Sequence, residues 1–510
     1  MRHQTGQPAP GSRTSEEKDR RDLARGAGVN YLGFIARIAP RAAFIALAGR
    51  FYGEGGFGAY TFGTAVVETA AGIAVFGLKR SLFRFMGEAK AEGESMHRPI
   101  ANGIAVAVVA ALVMTLAVAF AAGGLALAFG LPSATRPLLL LTVAIPFIVL
   151  SDVLLAATRF TRQMRFEVYA RSLVEPTVLT VALVLLYAAG VGQIGLAFAY
   201  VLALLAAALA ALLFFGRVYS FRACLKAPLR WPDIRGLVSF SAPTAGYDLL
   251  MMFADRADVL LVSYFGTAGT VGIYGMAREF ATFTKKIKAG FDRILPPVFS
   301  ETVAAGDMER AGHQLALVAR WILTVQLLIV LLFAFFGSSI LGTVAGESFA
   351  AGGLVLVLLL ISHTVNGCLG VSELPFLYLR PSANMVFGGA MLALTVGIGF
   401  FLVQSFGSVG AALTVLITMV LVNSARALAS RRMFGLSVMD AAFAKSILAG
   451  LGAAVVGWRA GVVLSGLGSV GAMVQATLLL GTYLGILLLL GLEEEDRARL
   501  KQVAGRMRGS

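Results

Sequence analysis

Residues 100–121 read IANGIAVAVVAALVMTLAVAFA, without a single charge. A helix needs about 20 predominantly apolar residues to cross the roughly 30 Å hydrocarbon core of a bilayer. A strand of a membrane barrel would instead alternate apolar and polar residues with period two. Runs like this one recur along the 510-residue chain, which is 58% hydrophobic and only 14% charged, with a mean hydropathy of +0.81. A soluble globular chain averages about 45–50% apolar and about 25% charged residues. Too few charges are present to coat a soluble surface, which excludes a soluble enzyme and, for the bulk of the chain, disorder. The fold class is an all-α integral membrane protein.

Fourteen transmembrane helices are expected, at about 29–49, 57–78, 100–121, 137–158, 172–190, 195–215, 238–263, 269–290, 317–337, 351–373, 382–403, 408–428, 442–463 and 468–491. The first, second, seventh and eighth contain charges or many small polar residues and stand out least. Loop charges test the count. With the N-terminus inside, only Arg50, Arg136 and Arg459 of the 43 Lys and Arg fall in outer loops, and Arg37, Arg41 and Arg256 lie within spans. The others are counted with the inner segments, among them 278–320 and 426–445, which take in the inner parts of neighbouring spans, as the positive-inside rule requires. Both termini are therefore expected in the cytoplasm. The same rule accounts for the net charge of +15 without a nucleic-acid partner.

The chain divides into a cytoplasmic tail (1–28), an N-terminal six-helix bundle (29–215), a cytoplasmic inter-bundle loop (216–237), a C-terminal six-helix bundle (238–430), appended helices thirteen and fourteen (431–491) and a second tail (492–510). The halves repeat. FYGEGGFGAY (51–60) and YFGTAGTVGIY (264–274) each follow a charged amphipathic span, at the first outer turn of a six-span half. Parallel halves of this kind are a transporter architecture, with substrate held between them.

These tracts carry a family resemblance. GRFYGEGGFGAYTFG with VFGLKRSLFRFMG resembles the opening of the polysaccharide transporter (O-antigen flippase) family, of the multidrug/oligosaccharidyl-lipid/polysaccharide exporter (MOP) superfamily. The second half agrees in order and spacing: LVSFSAPTAGYDLLMMFADRADVLLVSYFGTAGTVGIYGMA (237–277), then ILPPVFSETVAAGDMERAG, then FGSVGAALTVLITMVLVN. The family's Pro early in span seven falls on Pro243, its later Asp on Asp258, its Gly-x-Tyr on Gly272 and Tyr274, and its Pro before a short cytoplasmic amphipathic stretch on Pro296. The resemblance covers about residues 25–435. Lipid II flippases carry an Arg-Asp pair in the first span and further motifs downstream that are not found here. The resemblance implies a MATE-like fold of two pseudo-symmetric bundles, alternating access, often with ion or proton coupling, and a cargo of undecaprenyl-diphosphate-linked oligosaccharide. It also implies a bacterial inner-membrane location, membrane lipids as partners, and a link to polysaccharide polymerase and other glycan-assembly proteins.

Ionisable residues inside spans are costly and mark candidate sites. Arg37 and Arg41 lie one turn apart on one face of the first span, with Asn30 near the same face. Counted from residue 29, Arg37 is roughly 12 Å deep and Arg41 roughly 18 Å. Pro40 between them can open the backbone to water. Fork-shaped, permanently charged donors suit a diphosphate; the other reading is that each Arg braces the bundle through a carboxylate. Asp248, Asp255 and Asp258 fall within about an 80° arc of the seventh span, flanked by Arg256. They shape or couple a cavity, or form an Asp–Arg clamp. Glu68, midway along the second span, is a proton or cation candidate or a hydrogen-bonded structural carboxylate. Asp152 and Glu175 are expected to bind basic residues. The lone His363 reads as a hydrogen-bonded core histidine, with pH sensing as the lesser reading. Lys285, Lys286 and Lys288 belong to a cytoplasmic basic stretch with a weaker case for phosphate recognition.

Other chemistry finds no support. Gly53-Glu54-Gly55-Gly56-Phe57-Gly58 satisfies G-x-G-x-x-G but sits between membrane helices, where a dinucleotide site needs a soluble βαβ unit. Cys224 and Cys368 suggest neither disulfide nor metal. No ATP-binding P-loop, catalytic triad or large outer loop is present, so no cofactor is expected and an enzyme is disfavoured. Three readings stay open: a lipid-linked oligosaccharide flippase for exopolysaccharide, capsule or O-antigen synthesis; a proton- or sodium-coupled drug exporter of the same superfamily; and a non-transporting scaffold of a glycan-assembly complex.

Overall fold

The computed structural model describes residues 10–490 apart from Phe76 and Arg293, with side chains from Ala39 onward except those of residues 242–244, 247, 441 and 442. The described residues form helices and no strands. In order these are α1 (Pro10–Val75), α2 (Leu78–Ala91), α3 (His97–Ala128), α4 (Thr135–Thr142), α5 (Ala144–Phe160), α6 (Met164–Glu167), α7 (Glu175–Ala188), α8 (Gly195–Gly216) and α9 (Phe221–Lys226). There follow α10 (Trp231–Phe265), α11 (Ala268–Phe291), α12 (Leu295–Ala304), α13 (Met308–Ala345), α14 (Gly353–Cys368), α15 (Glu373–Leu379), α16 (Pro381–Phe434), α17 (Ala441–Leu464) and α18 (Gly468–Leu489). Two compact units emerge: residues 1–52 with 62–252, and residues 53–61 with 253–510. The last of the chain's changes from one unit to the other falls within α10, after Met252.

Among the described residues, eight helical segments are long and apolar enough to cross a membrane, or nine if α4 and α5, bent by 41° at Val143, count as one. Three of the eight, Ala39–Ala91, Pro381–Phe434 and Phe443–Leu489, run for 53, 54 and 47 residues. At about 1.5 Å per residue each exceeds twice the roughly 30 Å core. Each contains a break. In α1 it is Gly53 (φ 62°), in α16 Gly407 (φ 55°), both in the left-handed region that costs glycine nothing. A Cβ on Gly399 would lie 3.2 Å from Thr414 Cγ2. A straight helix would hold those residues roughly 22 Å apart, so α16 doubles back on itself. Likewise α1 follows α7 and then returns along α8: Thr180 donates to the Pro40 carbonyl (2.8 Å), Phe51 stacks on Tyr187 (3.9 Å), and Tyr200 donates to Glu68 (2.7 Å). By contrast α10 and α11, of 35 and 24 residues, are not among these eight, in line with the weak hydropathy of spans seven and eight.

Lipid tails are as apolar as leucine, so helices in a bilayer associate through close packing and a few polar bonds. The α17–α18 pair shows this. Ala449, Ala453, Leu479 and Tyr483 are fully buried with Leu331 of α13. Tyr483 donates to the Thr324 carbonyl at 2.8 Å, and the Thr324 and Ser446 hydroxyls bond at 2.9 Å. The helix α2 is amphipathic: Leu78, Leu82 and Met86 are buried while Arg84 and Lys90 lie outside. Pro296 opens the short α12, as expected at that position.

The two repeated glycine tracts meet inside the second unit. A Cβ on Gly58 would overlap the Ala268 carbonyl oxygen, and one on Gly272 would overlap the Glu54 carbonyl oxygen. Backbone therefore packs on backbone where residues 53–61 cross the start of α11, which only glycine permits. No nucleotide-binding turn exists at residues 53–58; they are helical after the break at Gly53.

Candidate functional site

The helices α10 and α11 form a hairpin closed by Gly266 and Thr267, whose hydroxyl accepts from the Thr270 amide and caps α11. Asp255 and Asp258 stand three residues apart on α10. Tyr274, Arg278 and Lys285 stand four and seven residues apart on α11, which places all three within about 40° on one face. The hairpin brings the two sets together. Tyr274, fully buried, donates its hydroxyl to Asp258 Oδ2 at 2.6 Å, and Arg278 Nε donates to the same oxygen at 3.1 Å. Asp258 Oδ1 accepts the Val259 amide at 2.8 Å. Arg278 Nη2 reaches the Asp255 carbonyl and, at 3.2 Å, Asp255 Oδ2. Lys285 Nζ donates to Asp255 Oδ1 at 2.9 Å.

Exposure grades along this cluster. The Asp258 and Arg278 side chains are 7% and 16% exposed, Lys285 34% and Asp255 51%. The closed end fixes Arg278 by a buried carboxylate and a tyrosine hydroxyl. At the open end, a half-exposed carboxylate is gripped by one guanidinium and one ammonium. Two cations and two carboxylates cancel, so the cluster is neutral as folded. An anion that displaced Asp255 would meet two cations already held in place.

The other residues read from the sequence fall as follows. Asp248 lies in the first unit and pairs with Arg80 at 2.9 Å; beside that pair Ser81 and Ser241 share a 2.7 Å hydrogen bond and Arg84 stacks on Phe240. The three carboxylates of the seventh span are thus divided between the units, because α10 changes unit at Met252. Glu68 accepts from Tyr200. Arg41 lies 5.3 Å from the Phe44 ring. Asn30, Arg37 and Pro243 fall outside the described side chains. Asp152 and Glu175 do bind basic residues: Asp152 holds Lys79 (2.7 Å) and Arg171, and Arg171 also reaches Glu175 (3.4 Å). His363 departs from its expected role. It is buried, yet neither ring nitrogen has a hydrogen-bond partner among the described residues. Among those residues no group of His, Cys, Asp and Glu is placed to hold a metal.

Arg278 is the residue that sequence reasoning missed, because it was counted with the basic inner segment that follows. One signal was available. Asp258 lies about eight residues before the Gly266–Thr267 turn and Arg278 about eleven after it, so an antiparallel hairpin sets them at depths differing by only about 5 Å.

Comparison with known structures identifies the fold. The fold matches the lipid II flippase MurJ in an inward closed conformation, with a TM-score of 0.69 and 13% identity over 89% of this chain and 98% of that one. It matches an inward-facing multidrug-resistance MATE transporter of the MOP superfamily at 0.63, with 14% identity over 78% and 94%. A MOP transporter from Pyrococcus furiosus, described as having a binding pocket of reverse polarity, matches at 0.55, with 14% identity over 81% and 95%. These likenesses show that the chain shares the fold of these proteins. A family model for polysaccharide biosynthesis proteins matches residues 23–303, more than half of the chain, and the chain belongs to that family. No curated protein matches it. The resemblance read from the two glycine tracts and the span-seven motif is borne out.

Proposed function

We propose that this protein is a flippase that carries a diphosphate-linked oligosaccharide on a polyprenyl lipid across the bacterial inner membrane, supplying repeat units for a surface polysaccharide. The observation that carries the reading is the open end of the α10–α11 cluster, where Arg278 and Lys285 share one exposed carboxylate. A diphosphate diester carries two negative charges and several acceptor oxygens. Arg and Lys donors in a partly dry site bind such a group through short charge-assisted hydrogen bonds. The drug-exporter reading is the weaker one, since Asp248, Asp255 and Asp258 each already face a cation. Membership of the polysaccharide biosynthesis family supports a sugar-linked cargo.

In this mechanism the anion replaces Asp255 on Arg278 and Lys285; Arg37, Arg41 and Asn30 are proposed, from the sequence pattern of the first span, as a separate diphosphate-binding group. Tyr274 and Asp258 keep Arg278 aimed, so little side-chain order is lost on binding. Alternating access between the six-helix halves then exposes the head group to the opposite leaflet. The reading includes fourteen crossings with both termini cytoplasmic, a scheme in which α10 and α11 also span the membrane. Charges are tolerable there because they are paired: Asp255 and Asp258 with Arg278 and Lys285, and Asp248 with Arg80. Polymerase and other glycan-assembly proteins would act on the delivered lipid.

The test is binding of a dialkyl diphosphate diester to the purified full chain, followed by calorimetry. Lys285→Gln is expected to weaken binding by about tenfold, the loss of one charge-assisted contact. Equal binding of the diphosphate by wild type and Lys285→Gln would refute the assignment.

A further inference from the structure

His363 occupies α14 and is 5% exposed. A neutral imidazole has one N–H and one lone pair, and neither is met by any described residue. Leaving a buried polar group unmet is costly, because it gives up its hydrogen bonds to water for nothing. Four residues along α14, Gly367 lies so close to α13 that a Cβ would overlap Gln326 Oε1. That oxygen also lacks a partner, although Gln326 is fully buried and its Nε2 donates to the Thr284 carbonyl at 2.8 Å. Thr284 immediately precedes Lys285. Unmet polar atoms thus stand on α14 and on α13, and Gln326 joins α13 to α11 at the residue before Lys285.

The charged groups acting on the His363 ring are Lys285 and Arg278 of α11 and Asp255 of α10. The other long helices packed on α14 carry Arg320 (α13) and Arg426 (α16), which face Asp440 and Glu373 at 3.7 Å. Glu347 and Glu373 belong to the segments at the two ends of α14. In the folded state a proton on the ring would feel two cations, Lys285 and Arg278, whose charge is offset by Asp255 and Asp258.

We propose that His363 is a proton site whose occupancy is linked to anion binding at Arg278 and Lys285. The inference rests on the anion-site reading above. A diphosphate diester brings two negative charges where Asp255 supplied one, and it releases the Asp255 carboxylate. The ring then takes one proton from water on its free lone pair and becomes an imidazolium facing a net negative site. No other bond changes; when the anion leaves, Asp255 returns to Arg278 and Lys285 and the proton is released. Linkage is reciprocal, so a proton that follows the anion also strengthens its binding.

The experiment measures the affinity of the full chain for a dialkyl diphosphate diester, whose charges do not titrate near neutral pH, as the pH is lowered. Proton uptake is measured in parallel, from calorimetry in buffers of different ionisation enthalpy. Wild type is expected to gain up to about tenfold in affinity per pH unit and to take up as much as one proton on binding. His363→Gln and His363→Asn are expected to bind with pH-independent affinity and no uptake. Proton uptake that persists in both variants, or wild-type binding that depends on Lys285 yet is flat in pH, would overturn the inference while leaving the anion site intact. Wild-type binding that is indifferent to Lys285, or absent, would sink the site and the inference together.

Discussion

Two ion-pair clusters of similar composition lie in the two units. In the first unit, Lys79 and Arg171 hold Asp152, and Arg171 also reaches Glu175 across one helical turn. In the second, Arg278 and Lys285 hold Asp255 while Arg278 also holds Asp258. The difference lies in exposure. Asp152 and Glu175 are 22% and 16% exposed, so both carboxylates of the first cluster are enclosed. The second has one enclosed carboxylate at 7% and one open at 51%. An enclosed pair is expensive to break and gains nothing from a ligand. An open carboxylate on two fixed cations is exchangeable. The same ingredients thus make a brace in one unit and a candidate binding site in the other.

The comparison can be broken at its strongest point first. Arg278→Gln leaves Asp258 buried without its cation, and removing one partner of a buried pair costs about 3–5 kcal/mol. A large fall in thermal stability in detergent is expected, partly restored by adding Asp258→Asn, with diphosphate binding lost in both variants. A stable Arg278→Gln protein that still binds the diester would erase the distinction. Arg171→Gln comes next, costing about 1.5–3 kcal/mol for its charged hydrogen bonds. It is expected to lower stability while leaving diester affinity within about twofold, a change of only about 0.4 kcal/mol; a tenfold loss would move the binding site toward the first unit. Asp255→Asn has the smallest effect on stability, within about 1 kcal/mol, because the carboxylate is half exposed. It removes the group that competes with the ligand, so diester affinity is expected to rise a few-fold. A fall would mean that Asp255 supports the anion site and does not occupy it.

Much of this was legible in the sequence. Uncharged runs such as 100–121 announced a helical membrane protein, and the glycine tracts at 51–60 and 264–274 announced related halves. Asp255 and Asp258 stood out because a carboxylate in a span needs a partner. The partners were harder to read. Arg278 sits at the start of a basic stretch that the positive-inside rule explains by itself, so its role emerges only once the α10–α11 hairpin fixes its depth. The breaks at Gly53 and Gly407 were legible too: Gly53 falls between the spans expected at 29–49 and 57–78, and Gly407 between those expected at 382–403 and 408–428. For His363, sequence implied burial but gave no sign that its surroundings would leave both ring nitrogens unmet, since that depends on how α11, α13 and α14 pack.

The most direct test of the account is transfer in proteoliposomes of an oligosaccharide linked to a polyprenyl diphosphate and of its monophosphate counterpart. Wild type would be compared with Lys285→Gln and with the Arg278→Gln/Asp258→Asn pair. The account predicts transfer that favours the diphosphate and collapses in both variants while they still unfold cooperatively. Equal transfer of both lipids, or undiminished transfer by folded variants, would contradict it.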